Sequence, residues 1–278
     1  MKRPSEDGTM IAFHRTGSGP PLILVDAALC HRGVVPNSGL AEPLSKRFTV
    51  ITYDRRGRGE SSDSSSYAVA REVENLAALI DDVGGTASLY GISSGGALAL
   101  EAARRMPDKV DKLARFEIPF VVDDSRPAVR GNFADELTRL IASDQRGAAV
   151  KLFMREAVRL PAPLVAAMPL FVGAWKKNKA LAHTLPYDAA IMGDLQRGNS
   201  LPADRWNAVT MPALVMDGGK SPAWVRHGMT RLAQVLPNAE HRTLEGQRHH
   251  VKPAAIAPVL EGFLTDGSPV TERAGLAT

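Results

Sequence analysis

Gly91-Ile92-Ser93-Ser94-Gly95 sets a serine between two glycines, where the short apolar run Ala87-Ser88-Leu89-Tyr90 meets an Ala-rich helical pattern. A strand that turns sharply into a helix needs this G-x-S-x-G spacing, because larger side chains at the flanking positions would keep strand and helix apart. The turn holds the Ser93 hydroxyl clear of the backbone, at the positive end of the helix that follows. There it can attack an electrophilic carbon, most simply an ester or lactone carbonyl, once a base takes its proton. Ser94 is the neighbouring rival but lacks a glycine two residues away on both sides. A plain Gly/Ser turn would produce the same pattern without chemistry. Ser93 therefore needs partners elsewhere in the chain.

The elements that must position those partners alternate along most of the sequence. Met10-Ile11-Ala12-Phe13-His14 alternates like a half-buried strand, and Pro21-Leu22-Ile23-Leu24-Val25 is the continuous apolar run of a central parallel strand. Phe48-Thr49-Val50-Ile51-Thr52-Tyr53 is the next strand, and residues 67–83 carry helical periodicity. The strand before Ser93 and the helix after it, stopped by Pro107, are followed by a strand ending at Glu117. From 120 to 205 the alternation stops, and helical patterns are broken by Pro127, Pro161, Pro163, Pro169 and Pro186. It resumes with Pro212-Ala213-Leu214-Val215-Met216-Asp217, a helix, the strand Ala239-Glu240-His241-Arg242-Thr243-Leu244 and a final helix. The expected fold class is α/β, a doubly wound, mostly parallel sheet with an inserted helical unit. The expected division is core 1–119, insertion 120–205, core 206–266 and a flexible tail 267–278.

The totals narrow the class of function. A chain of 278 residues with 44% hydrophobic and 23% charged residues is an ordinary globular balance. Thirty-four basic against 30 acidic residues, scattered along the chain, argue against a nucleic-acid partner. Lys176-Lys177-Asn178-Lys179, the densest basic run, reads as a solvated helix end. A single cysteine, Cys30, excludes an intramolecular disulfide and a cysteine-based metal site. The start, Met1-Lys2-Arg3-Pro4-Ser5-Glu6-Asp7, lacks the apolar core of a secretory signal, and no run reaches the ~18–20 apolar residues of a membrane span. A cytoplasmic protein acting on a small molecule is expected, with no cofactor, no metal and no membrane partner; a homodimer is compatible with the sequence.

With the Ser93 turn, the segment Asp54-Arg55-Arg56-Gly57-Arg58-Gly59-Glu60-Ser61 and the late His249 in view, the chain resembles the α/β-hydrolase superfamily from about residue 10 to 264. The resemblance implies that 120–205 is a cap over the active site and that the turn at 54–61 is structural, so no chemistry falls to Arg55 or Arg56. It also implies a catalytic order of Ser, acid, His, and of the seven histidines only His249 and His250 follow the last strand. The family spacing from Gly246 favours His249. Serine at 93, where epoxide hydrolases and dehalogenases carry aspartate, argues against those two reactions.

The acid departs from the common pattern. Most relatives have Gly-x-x-Asp-Pro after the penultimate strand, whereas this chain has Gly218-Gly219-Lys220-Ser221-Pro222. Ser221 cannot carry the charge that stabilises an imidazolium and is expected to contribute little. Glu117 ends the strand beside the nucleophile strand and is expected to serve instead, as in the zearalenone-type lactonases and some haloalkane dehalogenases that the chain resembles in this feature. Asp217 is the runner-up, followed by Asp123 and Asp124. The oxyanion donors are expected at the backbone N–H groups of Ser94 and Ala28, with Ala27 the alternative. Leu29, Met154, Trp175 and Met192 are expected to contact a small to medium, largely apolar substrate. The reading is a serine hydrolase of an ester or lactone, the alternatives being a carbon–carbon bond hydrolase with the same residues and a non-catalytic binder.

Overall fold

The computed structural model describes residues 1–33, 39–64 and 66–265. Eight strands form one sheet: β1 (Lys2–Pro4), β2 (Met10–Thr16), β3 (Pro21–Val25), β4 (Thr49–Tyr53), β5 (Ala87–Ile92), β6 (Val110–Phe116), β7 (Ala213–Gly218) and β8 (Ala239–Leu244). Their spatial order is β1-β2-β4-β3-β5-β6-β7-β8. β1 with β2 and β2 with β4 are antiparallel; the pairs from β4 onward are parallel. The apolar runs at β3 and β5 lie mid-sheet, where both faces must be covered. β1 is the strand that the sequence conceals: Lys2, Arg3 and Pro4 are exposed, and only their pairing with Met10–Ala12 makes them a strand.

Alternate side chains of each strand feed two cores. Ile23, Leu89, Leu113 and Val215 pack with α2 (Val69–Asp81), α3 (Ser94–Arg105) and α9 (Ala223–Val235). Leu22, Leu24, Phe116 and Met216 pack on the other face with α1 (Ala41–Leu44) and α10 (Pro253–Thr265). Between β6 and β7 come α4 (Phe133–Ala142), α5 (Arg146–Glu156), α6 (Ala162–Ala167), α7 (Val172–Leu181) and α8 (Leu185–Met192). α4, α5 and α8 share a third cluster, which includes Phe133, Leu137, Leu140, Val150 and Leu185, with Trp175 of α7 packed against it. The sheet is doubly wound and mostly parallel, as the apolar runs imply, with β1 and the short α1 the elements those runs do not mark. The expected tail 267–278 lies outside the described residues.

Candidate active site

The chain passes from β3 to β4 on one side of the sheet and then returns to β5 on the other. In doubly wound sheets the crevice beyond the carboxyl ends of the strands at such a reversal is where ligands bind. Four strand ends meet there: β3 leads into Asp26-Ala27-Ala28, β5 into Ser93, β6 into Glu117, and β7 into the 218–222 loop. The turn at Ser93 has φ 55° and ψ −129°, a conformation that non-glycine residues rarely adopt. It is held by bonds from Ser93 N to Phe116 O at 3.0 Å and from Gly96 N to Ser93 O at 3.0 Å. The flanking glycines are required by close approach. A Cβ on Gly91 would stand 2.5 Å from Gly95 O, and one on Gly95 would stand 2.4 Å from Val25 O.

Glu117 also turns out of its strand at positive φ, 48°. Its side chain is 1% exposed and lies between neutral donors and a histidine. Oε1 accepts Gly218 N–H at 2.9 Å and the Ser221 hydroxyl, and Oε2 lies 2.9 Å from His249 Nδ1. A carboxylate that accepts from Nδ1–H orients the ring and leaves Nε2 as the nitrogen free to exchange a proton. The other acids have other partners. Asp217 Oδ2 is 2.7 Å from His241 Nε2, and Asp123 Oδ2 is 2.7 Å from His227 Nδ1. Ser221, expected to contribute little, instead bonds to Glu117. Among the described residues no hydrogen bond joins Ser93 Oγ to His249, a contact that in unliganded sites often tightens only with substrate.

A small pocket opens at this point, lined by Ala28, Ser93, Ser94, Pro119, Phe133, Phe153, Ala157, Asp188, Ala189, Met192 and Gln196. It brings Ser93, both expected oxyanion residues and Met192 together. Ser94 is the first residue of α3, where a backbone N–H has no acceptor within the helix. The other expected contacts lie elsewhere: Leu29, Met154 and Trp175 pack against the core of the inserted helices, and Trp175 abuts Gly147 and Lys151. Burial pushes the Cys30 thiol up to about 12, which suits a packed residue rather than a nucleophile.

Asp188 was not anticipated, because nothing in the spacing around Tyr187-Asp188 distinguishes it from a solvated helix residue. It is 1% exposed and binds Arg55 Nη1 at 2.8 Å, Arg58 Nη2 at 2.7 Å and Ser94 Oγ at 2.8 Å. Burial raises its carboxyl, but Arg58 and Arg55 outweigh that and hold it below its ordinary value. Arg55 also grips Glu72 through two bonds of 2.8 and 2.7 Å, and Arg58 Nη1 donates to Ala27 O at 2.6 Å. The 54–61 turn thus ties α8, the β3 loop and the start of α3 together. Among the described residues no group of three His, Cys, Asp or Glu could hold a metal ion.

Residues 27–259 match the profile of the alpha/beta hydrolase family. A solved alpha/beta hydrolase from Sphaerobacter thermophilus superposes with a TM-score of 0.86 at 50% identity, covering 95% of this chain and all of that one. An uncharacterised protein of Mycobacterium tuberculosis is 28% identical over 93% of this chain and 79% of its own length. A pimeloyl-[acyl-carrier protein] methyl ester esterase of Nitrosomonas europaea is 33% identical over 103 residues, 37% of this chain and 39% of that protein.

Proposed function

The chain belongs to the alpha/beta hydrolase family, and from that premise we propose that it is a serine hydrolase cleaving a carboxylic ester or lactone through an acyl-enzyme. Ser93 Oγ attacks the carbonyl carbon while His249 Nε2 takes its proton. Glu117, bonded to the opposite nitrogen, stabilises the imidazolium that forms. The N–H groups of Ala28 and Ser94 receive the negative charge developing on the carbonyl oxygen, a contribution worth about 3–4 kcal/mol per donor in comparable sites. The imidazolium returns its proton to the leaving oxygen, and water activated by the same imidazole then releases the acid. The helices of 120–205 act as a cap, and Phe133, Phe153, Ala157 and Met192 give the acyl portion an apolar wall.

The observation that carries this reading is the 2.9 Å pairing of Glu117 with His249 at the strand ends adjoining the strained Ser93 turn. Partial similarity to a methyl ester esterase supports carboxylic esters as the first substrates to try. A fluorophosphonate probe should label the folded protein at Ser93 and leave Ser93→Ala unlabelled. Turnover should follow on p-nitrophenyl esters or simple lactones, lost in the same variant. A folded wild-type protein that takes up no probe would overturn the proposal, and turnover of vinylogous diketones alone would move it to carbon–carbon cleavage.

A further inference from the structure

Leu160 to Trp175 is sixteen consecutive residues without a charged side chain, and only Val165 among them is buried. Leu164, Leu170, Phe171 and Val172 are 57, 80, 67 and 72% exposed. Three prolines and Gly173 interrupt the stretch, so it folds as short α6, a 3-10 turn at Met168–Leu170 and the first turn of α7. That is too short and too broken to cross a bilayer, which takes ~20 helical residues. Large apolar side chains left this open are uncommon on a soluble surface unless something covers them.

The charge around the stretch says what the cover is. Arg159 precedes it, Lys176 and Lys177 follow directly, and Lys179 comes two residues later. From the start of α5 to Thr184 there are seven Lys and Arg residues against one acidic residue, Glu156, which is paired with Arg130. This segment carries more positive charge than the net +4 of the whole chain. A self-complementary contact between two copies would set these lysines against each other, which disfavours a second copy as the occupant. An apolar strip with a basic border matches the boundary between headgroups and acyl chains in an anionic bilayer.

We propose that the Leu160–Trp175 surface docks this protein on anionic lipid bilayers, with Leu170, Phe171 and Val172 entering the interface and Lys176, Lys177 and Lys179 meeting the headgroups. α5, whose Phe153 and Ala157 line the pocket, packs on both α6 and α7, so docking brings the pocket close to the lipid. The proposal does not depend on the reaction assigned to Ser93.

The test is co-sedimentation of the full chain with phosphatidylcholine vesicles, with and without phosphatidylglycerol, at low and high salt. Binding should require phosphatidylglycerol and weaken with salt. Each of Lys176→Gln, Lys177→Gln and Lys179→Gln should lower the partition coefficient about fivefold, and Leu170→Ser/Phe171→Ser about tenfold or more. Circular dichroism and thermal midpoint check that the variants stay folded. Absence of binding to the anionic vesicles, or binding unaltered by both sets of substitutions, overturns the proposal. So does a free dimer that Leu170→Ser/Phe171→Ser converts to monomer, since the occupant is then a second copy.

Discussion

Glu117 and Asp188 are two carboxylates of equal burial, each 1% exposed, and each attached to a residue of the same site. Their partners differ in kind. Asp188 faces two guanidinium groups and the Ser94 hydroxyl, so its charge is neutralised within the network it joins. Glu117 has no Arg or Lys partner among the described residues; a backbone N–H, a hydroxyl and an imidazole surround it. A negative charge balanced in place holds structure together, whereas one held only by neutral donors remains available to a cation that appears during a reaction. The two acids therefore predict opposite mutational signatures. Glu117 should govern rate, and Asp188 should govern stability.

The largest expected effect is on rate. Glu117→Gln keeps the size of the side chain but removes the charge and presents a mixed donor and acceptor to His249. Fluorophosphonate labelling or ester turnover should fall about 10⁴-fold, the loss seen when a triad acid is amidated, with the urea midpoint changed far less. Asp217→Asn is the control, because Asp217 pairs with His241 instead. If Asp217→Asn abolishes turnover and Glu117→Gln does not, the acid has been placed on the wrong strand.

Asp188→Asn should show the reverse balance. It leaves Arg55 and Arg58 buried against a neutral amide, and breaking a buried pair in this way costs about 3–5 kcal/mol, measurable by urea unfolding. Because the native Asp188 carboxyl lies below its unfolded value, the unfolded chain binds that proton more readily. Asp188 thus adds stability that is fully present above the ordinary carboxylate range, roughly pH 4, and is lost as pH falls through the native value. A stability profile on the acid side should therefore be flatter in Asp188→Asn than in wild type. A profile as steep as wild type would break the contrast with Glu117.

How much of this contrast the sequence disclosed follows from what kind of signal each residue leaves. Ser93 is legible because the turn needs glycines at fixed offsets, and the central strands because burial on both faces demands continuous apolar runs. Glu117 is legible by its place at a strand end together with the missing Asp at 221. Asp188 leaves no local mark: its partners Arg55, Arg58 and Ser94 are from 94 to 133 residues away, and only the packing of α8 over the β3 loop unites them. The pocket wall was hidden for the same reason. Met154 and Trp175 share the apolar character of Met192, and the packing of the inserted helices alone turns two of them inward to their own core.

The smallest effect separates holding a carboxylate from being one. Ser221 stands where the family resemblance leads one to expect an aspartate, and its hydroxyl donates to Glu117 Oε1. A hydrogen bond to a charged group is worth about 1.5–3 kcal/mol, but Gly218 N–H still reaches the same oxygen when the hydroxyl is gone. Ser221→Ala should therefore slow labelling and turnover only about tenfold, near the low end of that range. Ser221→Thr, which retains the donor, should recover most of the loss, and neither change should add to Glu117→Gln, since the hydroxyl acts through the carboxylate it holds. Additive losses in the double variant would mean that Ser221 acts on the site independently of Glu117.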